Sequence, residues 1–174
     1  MAKRPLADLR IVPLDEEHDR AGFACGVESL DRYIKIQAGQ DVRRKANAVF
    51  VLSELTEPGR ILGYYTLSAM AIAQGDVPEA ARKHVARYPL VSATLIGRLA
   101  VAKDHQGRRF GAVLLADALQ RAFDSAGTVG SSMVVVDALD VTAAGFYAAH
   151  GFLRLSESFR LVIPMRMAVG SAEP

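Results

Sequence analysis

The chain has 174 residues, 51% of them apolar, and a formal net charge of only +2. That length suits one domain with a sizeable core, the composition excludes a disordered chain, and the small charge does not by itself imply a nucleic-acid partner. The one cysteine, Cys25, excludes an intrachain disulfide framework, and no metal-ligand spacing occurs, so no metal is expected. Cys25 reads as a small buried apolar side chain rather than a working thiol. The N-terminus carries charges but no apolar signal segment, and no stretch reaches transmembrane length. The expected location is the cytoplasm, with no membrane partner.

In chain order, residues 9–14 read as a first strand and 15–26 as a polar, irregular stretch. From about 28 to 44, Leu30, Ile34, Ala38 and Val42 recur at helical spacing. Residues 48–52 form a buried-strand run, Glu57-Pro58-Gly59 turns the chain, and 61–67 completes an antiparallel hairpin. A short helix is expected over 77–83, with Pro78 near its first turn and Tyr88-Pro89 ending the segment. Residues 93–101 are the central strand. The clearest helical pattern runs from 109 to about 126, through Phe110, Val113, Leu114, Ala118, Leu119, Ala122 and Phe123, with Gly127 as its stop. Residues 132–136 form a buried strand, 142–150 a short helix ended by Gly151, and 159–165 a last strand interrupted by Pro164. Beyond Val169, residues 170–174 are expected to fray. The order β-α-β-β-(α)-β-α-β-α-β predicts a single domain over residues 1–174, of α/β (α+β) class. Its mixed, mostly antiparallel sheet is flanked by helices and holds one parallel strand-helix-strand unit over 93–136, with a right-handed crossover.

The most informative stretch is 97–115. An apolar strand runs into a Gly- and Arg-rich turn, and a long amphipathic helix follows at once. Free backbone N–H groups, a positive helix end and two arginines meet there, which suits a pyrophosphate. Gly107 and Gly111 allow a backbone to approach phosphate closely, and Arg108 and Arg109 add charge and fork-shaped donors. The glycine spacing is neither a Rossmann fingerprint nor a Walker loop.

The turn Gln106-Gly107-Arg108-Arg109-Phe110-Gly111 resembles the acetyl-CoA pyrophosphate loop of the GNAT acetyltransferases, usually Gln/Arg-x-x-Gly-x-Gly/Ala. The element order is similar to the GNAT fold over roughly 9–165. Four further stretches resemble one subfamily: Phe23-Ala24-Cys25-Gly26 with Leu30-Asp31; Gly63-Tyr64-Tyr65-Thr66-Leu67-Ser68; Arg98-Leu99-Ala100-Val101; and Asp137-Ala138 with Phe146-Tyr147 and Gly151-Phe152. Together they resemble the TacT/AtaT-type GNAT toxins of bacterial toxin–antitoxin pairs. The resemblance implies a toxin that acetylates the free α-amino group of an aminoacyl-tRNA and so blocks translation. It also implies acetyl-CoA as donor, a ribbon-helix-helix antitoxin as partner, and a homodimer.

Residue by residue, the resemblance assigns the cofactor to Leu99, Ala100 and Val101 of the central strand and to Gln106, Gly107, Arg108, Arg109, Phe110 and Gly111 of the loop. Pantetheine would pair with the strand edge, and the Val101 N–H would act as an oxyanion donor. Tyr147 would be the general acid that protonates the leaving thiolate; without the resemblance, it reads as a packed ring with its hydroxyl at the surface. Arg109 replaces the usual loop glycine. Its N–H can still face phosphate if its backbone is helical, and the fit fails only where φ > 0 is required. No base is named, because an α-amino group with a pKa of ~8 is partly neutral near pH 7.

Basic residues cluster at Arg32, Lys35, Arg43, Arg44 and Lys45, and again at Arg82, Lys83, His84 and Arg87. Each cluster alone reads as a solvated helix face, but two of them keep a polyanionic substrate open. Arg43, Arg44, Lys45 and Arg87 are the candidate tRNA contacts. Arg98 reads either as an inward-facing site residue or as the partner of a buried carboxylate such as Asp137. His105 reads as a cap or a solvent-facing side chain, and His18, His84 and His150 as surface or helix-end residues. Two alternatives stand beside the toxin: a GNAT enzyme on a polyamine, antibiotic or protein N-terminus, and a non-catalytic CoA-binding module.

Overall fold

A computed structural model describes residues 8–155 and 158–169. The expected tail at 170–174 lies outside the described residues. The elements are β1 (Leu9–Pro13), α1 (Glu28–Arg32), a π turn (Tyr33–Gln37), α2 (Ala38–Arg43), β2 (Ala48–Glu54), β3 (Gly63–Ala73), α3 (Glu79–Arg82), β4 (Leu90–Val101), α4 (Phe110–Ser125), β5 (Met133–Asp137), α5 (Val141–Ala149), β6 (Leu153–Arg154), β7 (Arg160–Pro164) and α6 (Met165–Ala168). The sheet runs β1-β2-β3-β4-β5-β7-β6. Its parallel pair is β4 with β5, from Ala93↔Met133 to Ile96↔Val136, as the strand-helix-strand reading requires.

Pro13 ends β1, an edge strand, where a missing N–H is tolerated. β5 is apolar along its first four residues, and all four are buried, as a strand covered on both faces demands. Two elements escaped the sequence reading. β6 has only two residues, too few to show a period, and is held by Leu153↔Val162 and Arg154↔Leu161. α6 starts where Pro164, with φ −58°, ends β7.

The helix expected from 28 to 44 is present but interrupted by the π turn at Tyr33–Gln37. Leu30, Ile34, Ala38 and Val42 recur every four residues, and on a 3.6-residue helix such a stripe drifts about 40° at each step. One extra residue in a π turn takes up that drift. Leu30, Tyr33, Ile34 and Ala38 are all buried, and Val42 packs against them.

The chain divides into two compact units, 1–66 with 98–117 and 67–97 with 118–174. The divisions fall inside β3, β4 and α4. The first unit has a core of Phe23, Cys25, Leu30, Tyr33, Ile34, Val51, Tyr64 and Ala100. The Tyr64 ring meets Phe23 edge-on at 5.5 Å, and its hydroxyl donates to Leu30 O at 2.7 Å, so a buried phenol is both packed and satisfied. The second unit is built on Ile72, Val77, Val91, Ala93, Met133, Val135, Leu155 and Val162.

Candidate active site

β4 ends at Val101, and a 3-10 turn at Lys103–His105 leads into the loop before α4. Gly107 holds φ at +80° and Arg109 at +64°. Phe110 opens the sixteen residues of α4, and Val113 N–H bonds back to Arg109 O at 3.2 Å. A left-handed residue followed by a helical one turns consecutive N–H groups the same way, which makes an anion-binding concavity at the positive helix end. The structure corrects one expectation here. Arg109 is not helical but left-handed, the conformation expected to defeat the fit; the arginine adopts it at a cost in strain, and a left-handed residue ahead of a helix still aims its neighbours' N–H groups at one point.

Gly107 is needed for its backbone conformation, not for space inside the protein. A Cβ there would meet nothing within 4 Å, so the face of the loop is open. Arg108 and Arg109 are exposed and make no ion pair with a described residue. Gln106 Nε2 donates to Cys25 O at 2.8 Å and to Val101 O at 3.1 Å. Both amide protons are spent on tying the loop down, which leaves the backbone N–H for a ligand. An open left-handed loop with two exposed guanidinium groups fits a pyrophosphate.

His105 and His18 correct the sequence reading as well. His105 is only 7% exposed, stacks on Phe110 at 5.9 Å, and keeps a buried Nδ1 without a partner among the described residues. Burial, with the charges of Arg108 and Arg60 behind it, lowers its pKa, so the ring is neutral at pH 7. His18 is 5% exposed, and its Nδ1 accepts the Asp15 N–H at 3.1 Å. A single polar residue in an irregular stretch gives no periodicity from which burial could be read.

Along β4, Ala102 N–H bonds Leu62 O at 2.7 Å on the β3 side. Successive amides of a strand face opposite edges, so Val101 and Leu99 present theirs to the other edge, where the ladder to β5 stops at Ile96. Ala100 is buried in the core of the first unit, and Leu99 and Val101 are half-buried.

Tyr147 lies on α5 in the second unit. The helix is capped by Asp140, whose Oδ1 accepts from Ala143 N–H at 2.8 Å, and closes at Gly151, with φ +93°. The Tyr147 ring is 7% exposed and packs edge-on to Phe146 at 5.2 Å and Phe152 at 5.6 Å. Burial drives its hydroxyl well above the usual phenol range, so it keeps its proton. Cys25 is also buried, and its thiol is pushed up to about 11 by burial and by Asp31.

Arg43, Arg44 and Lys45 are exposed together at the turn closing α2, where Lys45 holds φ at +60°. Arg87 is exposed in the second unit. Asp137 is exposed rather than buried, and its carboxylate takes both Nε and Nη2 of Arg160, at 2.7 and 3.0 Å. Asp137 is therefore not the partner of Arg98, whose charge acts instead on the half-buried Asp41 carboxylate. The Arg98 guanidinium lies 3.6 Å from the Tyr33 ring centroid. Tyr33 belongs to a network that sequence reasoning missed: Tyr33 Oη, Gln37 Nε2 and Asn47 Nδ2 all donate to Asp41 at 2.9 Å. The signal was the spacing Tyr33, Gln37, Asp41, three polar positions on one helical face.

A profile described as the acetyltransferase (GNAT) domain matches residues 45–154. The chain belongs to the GNAT acetyltransferase family. A tRNA-acetylating toxin of Mycobacterium tuberculosis (strain ATCC 25618 / H37Rv) is 31% identical over 139 residues, 80% of this chain and 81% of that protein. The structure of AtaT complexed with acetyl-methionyl-tRNAfMet aligns at a TM-score of 0.83 with 29% identity, covering 91% of this chain and 96% of AtaT. A tyrosine-to-phenylalanine variant of AtaT, bound to the C-terminus of the antitoxin AtaR and to acetyl-CoA, aligns at 0.77 with 26% identity, over 92% and 96%. The loop that resembles the family's pyrophosphate loop is the one that holds Gly107 and Arg109 left-handed.

Proposed function

We propose that this GNAT protein is an acetyl-CoA-dependent toxin that acetylates the α-amino group of an aminoacyl-tRNA, acting as one domain in the cytoplasm, where charged tRNA is found. Acetyl-CoA would supply a thioester acyl group with a thiolate as its leaving group. Gly107, Arg108, Arg109, Phe110 and Gly111 hold the pyrophosphate through backbone N–H groups and guanidinium donors, with Gln106 fixing the loop. The Leu99–Val101 edge offers backbone pairing, and the Val101 N–H is an oxyanion donor. Tyr147 Oη, protonated at neutral pH like any phenol, is the general acid for the departing thiolate, and its burial makes it a weaker donor than a free phenol. Arg43, Arg44, Lys45 and Arg87 contact tRNA phosphates. A homodimer, neutralised by a ribbon-helix-helix antitoxin, completes the reading.

The observation that carries this reading is the open left-handed cradle at Gly107 and Arg109, on a chain that the tRNA-acetylating relative matches over 80% of its length. The test is labelled acetyl transfer from acetyl-CoA to a mixed pool of charged tRNA. Wild type should label aminoacyl-tRNA, and Tyr147→Phe should lower kcat by roughly 100-fold or more with acetyl-CoA binding unchanged. Acetyl-CoA binding without label on any aminoacyl-tRNA would overturn the tRNA substrate.

A further inference from the structure

Arg98 is a partly buried cation on β4; after the hydrogen bond from Gln37, its charge helps hold the Asp41 carboxyl below its ordinary pKa, without touching it. Among the described residues it forms no ion pair and donates no hydrogen bond; its contact is the Tyr33 ring, 3.6 Å below the guanidinium carbon. Stacking satisfies one face of the guanidinium and leaves the donors at its rim unspent. The nearby carboxylate, Asp41, is occupied by Tyr33, Gln37 and Asn47. That network also fixes what stands around it. Asp41 O accepts the Ala46 N–H at 2.9 Å, and Asn47 reaches back to the Asp41 carboxylate, so the Arg43-Arg44-Lys45 turn is closed from both sides. The π turn places Tyr33 in the core of this unit while Asp41 stays within reach of its hydroxyl.

A half-desolvated guanidinium with a free fork is matched by a planar or tetrahedral oxyanion that can take two parallel N–H bonds. Asp41, the carboxylate on which the Arg98 charge acts, is already taken up by three other donors, and the adjoining turn carries three cations in a row. We propose that Arg98, held on Tyr33, binds a backbone phosphate of the single-stranded 3′ end of the acceptor tRNA, and that the Asp41 network is the scaffold that keeps it there. This rests on the aminoacyl-tRNA reading above and adds a residue that determines how the acceptor is seated.

The experiment measures binding of total tRNA at several salt concentrations, and steady-state transfer to charged tRNA, for wild type, Arg98→Ala and Arg98→Lys. Thermal melts and acetyl-CoA binding establish that each variant is folded. Arg98→Ala should raise KM for charged tRNA about tenfold and reduce the slope of log K against log salt by about 0.7, the share of one single-strand phosphate. Arg98→Lys keeps the charge and loses the fork, so it should restore the slope and leave KM raised. A folded Arg98→Ala protein with wild-type slope and KM would overturn the inference alone. Wild type that neither binds nor acetylates charged tRNA would overturn the proposed function with it. A loss of slope in both variants would overturn the phosphate contact and leave Arg98 a packing residue.

Discussion

Arg109 holds φ at +64°, a conformation that costs a side-chain-bearing residue about 1–2 kcal/mol relative to glycine. Its neighbour Gly107 holds +80° without that cost. The loop therefore contains one position where the preferred residue is absent and a cation stands instead. Arg109→Gly should raise stability by about 0.5–1 kcal/mol, once the greater freedom of glycine in the unfolded chain is subtracted, a melting shift of roughly 2 °C. The same change should weaken acetyl-CoA binding severalfold at low salt and less at high salt, since a guanidinium is lost but the N–H is kept. Calorimetry of the folded protein and a binding titration at two salt concentrations measure both. Were stability to fall, the left-handed backbone would not be the source of strain at this position.

At the scale of elements, the loop is placed by how closely β3 approaches β4 and α4. A Cβ on Gly63 would lie 2.8 Å from Ala100 O and 2.9 Å from Leu114 Cδ1. Leu114 can shift; a backbone carbonyl in a ladder cannot. Gly63→Ala should destabilise by about 2 kcal/mol and lower acetyl-CoA affinity, because the displaced segment is the strand leading into the loop. Denaturant midpoints and a binding titration give the two numbers, and a neutral result would mean the ladder yields here. α1, the π turn and α2 follow a parallel logic. Their apolar stripe sits at four-residue spacing, and only the extra residue of the π turn keeps Leu30, Ile34 and Ala38 on one core.

For the whole molecule, pH acts through buried groups that must stay uncharged. Burial raises the phenols of Tyr64 and Tyr147; burial with Asp41 raises that of Tyr33, and the Cys25 thiol is pushed up to about 11. In the unfolded chain these groups ionise near their ordinary values, about 8.5 for the thiol and 10 for the phenols. Above those values the unfolded state holds fewer protons than the native one, so stability is full below about pH 8.5 and falls as pH rises. On the acid side, His105 is lowered by burial and by nearby arginines, so the unfolded state takes up a proton first and stability falls below about pH 6.5. Urea midpoints from pH 5 to 11 should trace a plateau between these limits. In Tyr147→Phe the alkaline fall should be shallower; an unchanged slope would mean that this phenol titrates freely.

α4, the position of the loop before it and the strands other than β6 were legible in the sequence because each rests on a local pattern. A continuous apolar run makes β5, a 3.6-residue period makes α4, and two glycines flanking paired arginines mark a turn at a helix start. The resemblance, carried by short motifs in order, fixed the family from the same local signals. What the sequence did not determine depends on neighbours far along the chain. Whether Asp137 faces solvent and takes Arg160 or sits inside with Arg98 depends on the register of β5 against β7. Whether His18 and His105 are buried depends on what packs over two irregular stretches. The seat of Arg98 on Tyr33 needs β4 and the π turn brought together across sixty-odd residues of chain. Periodicity reports which face of an element is covered; only the folded chain decides which side chain covers it, because close packing is a property of pairs distant in sequence.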